Sequence, residues 1–465
     1  MATTTAPSRS STEPDLQRGE RVAPSPNPLR EGLRHERIPE PCTMVICGAT
    51  GDLTERKLAP ALYNLMLGGF LPPEFTVVGF ARRELTNEQF SAHLLEGVNK
   101  YSRNKPAKAS IWESFARGIE YHRGDLDDPT AYAELGKRLD RIDRDRGTAG
   151  NRLFYLAVPP SLYPDIVQQL HDAGLAATGA ARSSDAKRGW TRVIIEKPFG
   201  YDLASARTLN QAIGRVFDED QVYRIDHYLG KETVQNLAVF RFGNGLFEPI
   251  WNRRYIDSVQ ITVAETVGVE GEKVHSYRDE PEVAPDSDTE TYVALKLSID
   301  SWRWAGVPFY LRAGKALASR VTEIAVQFKR APLALFARAG VPQVDPNVLA
   351  IRVQPDEGIL LRFGAKVPGQ GLQIRTVNMD FRYGSSFAVD VPEAYETLLC
   401  DAMLGDPSLF TRNDEVERAW EILQPMLDAW ASGDGGPLHF YGAGSWGPPA
   451  ADELLEREGR AWRKP

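Results

Sequence analysis

From Cys42 onward, short apolar runs alternate with helix-periodic stretches, and the runs lack a polar face. MVIC, FTVVGFA and LFYLAV are apolar at successive positions, where a sheet with one wetted side would alternate. Between such runs lie LTERKLAPALYNLMLGG, the stretch from Asn87 to about Tyr101, AYAELGKRLDRI, SLYPDIVQQLHDAG and LASARTLNQAIGRVF, with apolar residues at the helical period. Strands buried on both faces, each followed by a helix, specify a parallel sheet covered on two sides. Five such units end near residue 216.

Past about residue 245 the texture changes. SVQITVAE, YVALKLSID, VPFYLRAG, TEIAVQFK, VLAIRVQP, GILLRFGAK and QIRTVNMDFRYG follow one another with few helices between them. Consecutive strands predict a second, mostly antiparallel sheet. Two helices close the chain, around PEAYETLLCDAMLG and NDEVERAWEILQPMLDAWA. The fold class is α/β: a Rossmann-like dinucleotide-binding domain over 41–205, then a larger α+β domain over 206–465. Residues 1–40 read as a disordered tail, because Pro, Ser and charge leave too little apolar surface to offset ordering.

Composition narrows the function classes. A net charge of −8, with no segment concentrating Lys and Arg, argues against a nucleic-acid partner. No stretch approaches the roughly 20 apolar residues of a membrane span, and the first residues lack the apolar core of a signal peptide. Cys42, Cys47 and Cys400 are odd in number and unevenly placed, which fits a reducing, cytoplasmic setting without a disulfide framework. The acids from Asp279 to Asp288 lack the spacing of a calcium loop and are read as solvated; no metal is expected.

Polar residues collect where the strands end. Gly48-Ala49-Thr50-Gly51-Asp52-Leu53 joins the first strand to the first helix, where free N–H groups and the helix dipole suit a pyrophosphate. The spacing is G-x-x-G, which an ordinary strand-to-helix turn also satisfies. At the end of the second strand, Arg82 and Arg83 offer guanidinium forks to a ribose phosphate, so NADP is expected over NAD; a solvated pair bonded to Glu84 is the plain alternative. Lys197, in EKPFG, ends the fifth strand and points toward the ligand crevice of such sheets. Arg224 to Glu232 (RIDHYLGKE) is the densest polar cluster. With a helix starting near Asp226, His227 and Lys231 would share a face beside Tyr228 and could receive a sugar phosphate. Glu265 and Lys315 each end a later strand.

At these residues the chain resembles the glucose-6-phosphate 1-dehydrogenase family. GATGDLTERKLAPALYNL, GFARRELT, VIIEKPFG, RIDHYLGKE, FGNGLFEPIWNRRYIDSVQITVAET, WRWAGVPFYLRAGKAL, IRVQPDEG and YGAGSWGP match it in order, from about residue 42 to the end. A sugar oxidoreductase of the Gfo/Idh/MocA type shares the sheet and the EKP lysine, but not RIDHYLGKE. The resemblance implies NADP-dependent oxidation of glucose 6-phosphate to 6-phosphogluconolactone, the first step of the pentose phosphate pathway, by a homodimer or homotetramer. It implies that Gly48, Thr50, Gly51, Asp52, Leu53 and Arg82 bind NADP, and that Lys197 sits between substrate and nicotinamide. His227, Tyr228 and Lys231 would hold the sugar's phosphate, with Glu265, Lys315 and Gln354 completing the substrate pocket. Asp226 would orient a histidine that acts as general base.

That histidine is not found. The chain runs directly from VGVEG to EKVHSYRDEPEVAPDS, and an internal segment that the family carries between Gly271 and Glu272 is missing. None of the seven histidines stands in the family's context for the base. Three outcomes stay open: turnover with His227 or His275 as substitute base, a non-catalytic paralogue that binds NADP and sugar phosphate, or a defective product.

Overall fold

The computed structural model describes residues 38–176, 189–266, 275–331, 345–369, 373–387 and 392–465. Most of the expected tail, residues 1–37, and the Gly271–Glu272 junction lie outside the described residues.

The apolar runs form a six-stranded parallel sheet of β1 (Thr43–Cys47), β2 (Thr76–Ala81), β3 (Ile119–Arg123), β4 (Arg152–Leu156), β5 (Thr191–Glu196) and β6 (Val222–Ile225). The order is β3-β2-β1-β4-β5-β6, which reverses direction of growth between β1 and β4 and so opens a crevice at the carboxyl ends there. Every residue of β1 and β2 is buried, as an all-apolar run requires. The carboxyl ends are level: Cys47 pairs with Phe80 on one side and Leu156 on the other, and Glu196 pairs with Ile225. The last strand of this sheet therefore lies beyond residue 205.

Helices cover both faces. α1 (Ala59–Gly68), α2 (Asn87–Tyr101) and α3 (Ala109–Ala116) share a core with one face, while α4 (Pro129–Arg146), α5 (Tyr163–Asp172) and α6 (Leu203–Gly214) cover the other. α7 (Glu232–Phe242) leads into the second sheet: β7 (Ile256–Thr266), β8 (Tyr292–Leu297), β9 (Phe309–Leu317), β10 (Val321–Phe328), β11 (Val348–Gln354), β12 (Gly358–Lys366) and β13 (Ile374–Arg382). Its order is β13-β12-β11-β10-β7-β9-β8, antiparallel except for the β7–β9 pair. Leu237 and Phe240 of α7 pack on one of its faces with Ile256, Val326, Leu349 and Ile351.

Two late helices return to the first sheet. α8 (Ala394–Leu404) buries Leu398, Leu399, Ala402 and Met403 in the same core as α1. Its buried Glu396 receives Arg103 through two hydrogen bonds of 2.9 and 2.7 Å. α9 (Asn413–Ser432) lies on α6, and its Trp420 Nε1 donates to the Phe199 carbonyl at 3.0 Å. α10 (Pro449–Glu456) sits near β8.

The helix expected from Asp226 is a correction. It starts at Glu232, and residues 227–230 are turns. Asp226 Oδ1 accepts from the Tyr228 backbone N–H, and its carbonyl from Leu229, the local bonds by which an Asp competes with a helix. Gly230 fits closely against α8: a Cβ there would lie 2.9 Å from the Ala394 carbonyl oxygen and from Leu398. His227 and Lys231 therefore flank a turn and do not share a helix face.

Candidate functional site

The cradle between β1 and the first helix is built for close approach. Gly48 has φ of 85°, and a Cβ there would meet the Ala157 carbonyl oxygen at 2.5 Å. Gly51 donates to the Gly48 carbonyl at 3.0 Å, closing the turn that holds Thr50 at its tip. Asp52 and Leu53 begin the helix, which passes through a π-helical turn at Thr54–Leu58; such turns recur at functional sites. The Asp52 carboxylate pairs with Arg56 at 2.6 Å. Arg82 and Arg83 lie on the neighbouring strand end, exposed, and Glu84 pairs with Arg123 at 3.5 Å rather than with either of them. A glycine that no larger residue can replace, a helix start and two exposed guanidiniums fit a phosphorylated dinucleotide.

The second group gathers at the ends of β5 and β6. Lys197 Nζ donates to Asp226 Oδ1 at 2.9 Å and stands 5.4 Å from the centre of the Tyr228 ring. The same Oδ1 takes the Tyr228 N–H at 3.2 Å, and no described residue bonds Oδ2. The His227 ring lies 4.3 Å from that of Tyr228. Burial lowers the His227 pKa, and the Lys197 charge adds to the effect, so its imidazole is neutral at pH 7. Lys231 reaches Glu357 at 3.1 Å. Gln354, at the end of β11, donates to the Tyr228 hydroxyl at 3.4 Å and to Thr322 at 3.1 Å. Lys197, Asp226, His227, Tyr228, Lys231 and Gln354 thus come from both sheets to one place. The bonds Lys197–Pro198 and Gln354–Pro355 are cis.

Beneath Lys197, Glu196 is held by the Tyr155 hydroxyl and by the Tyr395 hydroxyl at 2.9 Å. Its pKa is raised by burial, against the pull of those two donors. Neither tyrosine, nor Glu357, nor Lys57, whose charge also bears on His227, stood out in the sequence. Lys57 follows GDL by one helical turn, a usable signal; Tyr155 reaches Glu196 from the neighbouring strand β4, whereas Tyr395 does so only when α8 folds back.

Glu265 and Lys315 form a separate pair. Lys315 Nζ donates to Glu265 Oε2 at 2.6 Å, at the ends of the parallel strands β7 and β9. Lys315 is exposed and Glu265 half-buried, and both line an open cavity of about 970 Å³ together with His275. No described contact joins this pair to the cluster at Lys197. Since β7, β9 and β11 run the same way, Glu265, Lys315 and Gln354 nonetheless share one edge of the second sheet. Among the described residues no histidine hydrogen-bonds Asp226.

Residues 45–236 match the family description "Glucose-6-phosphate dehydrogenase, NAD binding domain". The description "Glucose-6-phosphate dehydrogenase, C-terminal domain" matches in two pieces, 238–273 and 269–463, which meet at the junction noted in the sequence. A Mycobacterium tuberculosis protein named glucose-6-phosphate 1-dehydrogenase 2 is 45% identical over 514 positions, covering 94% of this chain and 98% of its own. Because 94% of 465 residues is about 437, about 77 of those 514 positions face no residue here. Glucose-6-phosphate 1-dehydrogenase of Chlamydia pneumoniae is 41% identical, covering 93% of this chain and 98% of its own. Among solved structures, a glucose-6-phosphate dehydrogenase in complex with its substrate glucose 6-phosphate is 31% identical, with a TM-score of 0.81 over 92% of this chain and 99% of that one. The Mycobacterium avium glucose-6-phosphate 1-dehydrogenase structure is 32% identical, with a TM-score of 0.75 over the same shares.

Proposed function

This chain belongs to the glucose-6-phosphate dehydrogenase family, and we propose that it binds NADP and glucose 6-phosphate as its relatives' names imply but oxidises the sugar slowly. One observation carries the reading: Lys197, Asp226, His227, Tyr228, Lys231 and Gln354 are assembled, yet the second oxygen of Asp226 meets no imidazole among the described residues.

NADP, when bound, is the hydride acceptor, and Gly48, Thr50, Gly51, Asp52, Leu53 and Arg82 hold it. His227, Tyr228 and the cation Lys231 receive the sugar's phosphate through charge-assisted bonds, and Lys197 stands between the sugar and the nicotinamide. Glu265 and Lys315 bond sugar hydroxyls from the second sheet. Lys197 also orients Asp226. Converting the anomeric hydroxyl to a carbonyl releases a proton as well as a hydride. Asp226, paired with Lys197, would orient a base rather than act as one. Losing a positioned base lowers rate by about 100- to 10,000-fold.

The bare outer strand β13, with Met379 61% exposed, suits a homodimer or homotetramer. Among the described residues no helix is long and apolar enough to cross a membrane, and the reading places the protein in the cytoplasm.

The test is a side-by-side assay of the purified full chain and the M. tuberculosis relative. NADP binding is followed by fluorescence quenching, and NADPH formation by absorbance with glucose 6-phosphate. Saturable NADP binding with turnover reduced about 100- to 10,000-fold is expected. Equal turnover would mean that a described or undescribed side chain has taken over as base; no NADP binding would point to a defective product.

A further inference from the structure

Arg82 is exposed on the short loop, residues 82–86, that joins β2 to α2. On a free loop its guanidinium would sample many directions, and a phosphate that recruits it would bear the cost of ordering it. This loop is not free. Its start and the helix that follows it are both tied to one buried residue of the neighbouring strand, Tyr121 of β3. The Tyr121 hydroxyl donates to the Ala81 carbonyl at 3.1 Å and also to the Arg83 carbonyl, so the two bonds straddle Arg82. The Ala81 carbonyl takes the Gly124 N–H as well, at 3.1 Å, but among the described residues only Tyr121 bonds the Arg83 carbonyl.

The far end of the loop is held by the same residue. The Tyr121 backbone N–H donates at 2.8 Å to Oδ1 of Asn87, the first residue of α2. Next to it Thr86 and Gln89 close a capping box that fixes the helix start. The Tyr121 ring packs 5.1 Å from that of Phe90 in the core of this helix. Burial raises the Tyr121 pKa, against the pull of Arg83 and Arg123, so the phenol keeps the proton that both carbonyls share. A buried tyrosine needs one partner for its hydroxyl, and either carbonyl alone would satisfy that need. Straddling Arg82 and gripping the far end of the same loop goes beyond it.

We propose that Tyr121 is a positioning residue for nucleotide specificity: it fixes the loop between Ala81 and Asn87 so that the Arg82 guanidinium stands ready for the ribose 2′-phosphate. Tyr121 acts through Arg82 and touches no nucleotide itself. Because NAD lacks the 2′-phosphate, the hydroxyl of Tyr121 contributes to the binding of NADP and not of NAD. The inference rests on the reading that Arg82 holds that phosphate. It does not depend on whether the chain oxidises sugar.

The test measures dissociation constants of NADP and of NAD by fluorescence quenching for the full chain and for Tyr121→Phe, Asn87→Ala and Arg82→Ala. Tyr121→Phe removes the hydroxyl and keeps the ring against Phe90. It is expected to weaken NADP by about three- to tenfold, the scale of one hydrogen bond, and to leave NAD unchanged. Asn87→Ala changes an exposed side chain outside the core and is expected to shift the NADP-to-NAD ratio the same way, by about two- to fivefold. Unchanged NADP binding in Tyr121→Phe would overturn the proposal. So would a parallel loss of both nucleotides, which marks damage to the core. If denaturant unfolding shows Tyr121→Phe to be unfolded, Asn87→Ala decides, and an unchanged ratio there overturns the proposal. Arg82→Ala separates the proposal from the reading beneath it. Should Arg82→Ala weaken NADP alone while Tyr121→Phe does nothing, the phosphate reading stands and the positioning role falls. Should Arg82→Ala leave the ratio unchanged, both fall.

Discussion

The two sheets obey different rules of burial, and the contrast bears on which parts of the molecule tolerate change. In the first sheet every residue of β1 and β2 is buried, and helices α1 to α6 with α8 and α9 leave neither face open. In the second, β13 has only partly buried or exposed residues, Val377 and Met379 are exposed, and Val239 and Phe242 of α7 are exposed by 61% and 64%. A doubly covered sheet cannot lose a helix without exposing a core. A sheet with one covered face can lose a segment and keep its strands paired, as the intact β7 to β13 registers show. The nucleotide cradle stands on the first kind of structure. So does the cluster from Lys197 to Lys231, whereas Glu265, Lys315 and Gln354 stand on the second.

Stability measurements sharpen that contrast most. Phe154 is completely buried in β4, and Phe154→Ala should cost about 3–5 kcal/mol in denaturant unfolding. Met379→Ala, on the open face of β13, should stay within about 0.5 kcal/mol. Equal costs would break the comparison. Next is the cradle's charge. Arg82→Ala should weaken NADP binding by about ten- to a hundredfold, as loss of a charge-assisted bond implies, and leave NAD binding unchanged. A parallel fall for both nucleotides would remove Arg82 from the phosphate site.

The smallest effect concerns Asp401, on α8, where burial first, and then Asp406 and Glu232, raise the carboxyl from 3.8 to about 6. The folded state therefore holds this proton more tightly than the unfolded state. Stability should fall as pH rises from about 4 to about 6, and the charged carboxylate is a cost above that. Asp401→Asn should then stabilise by about 1 kcal/mol at pH 7, allowing for screening at a partly exposed site, with the gain vanishing below about pH 4. Thermal unfolding at two pH values checks it; a gain at the lower pH would contradict the sign.

Much of this was legible in the sequence because it is local. MVIC and FTVVGFA announce buried strands by their lack of polar positions, and GATGD lies where a turn must precede a helix. At Asp226 the helical spacing of His227 and Lys231 does not decide the backbone; the short bonds from Asp226 and the contact of Gly230 with α8 do. The partners of Lys231, Tyr228 and Glu196, namely Glu357, Gln354 and Tyr395, are more than 120 positions away. No periodicity encodes such meetings. They exist only once both sheets have folded and α8 has returned to the first. The junction at Gly271–Glu272 was visible only by resemblance, since the residues on either side of it read as an ordinary loop.

The most direct measurement restores the segment in place. A chimera carrying the relative's additional positions between Gly271 and Glu272 should raise turnover of glucose 6-phosphate by about 100- to 10,000-fold while leaving the NADP dissociation constant as it is. A chimera that folds, binds NADP equally well and turns over no faster than the parent chain would contradict the claim that proton removal is the function this molecule lacks.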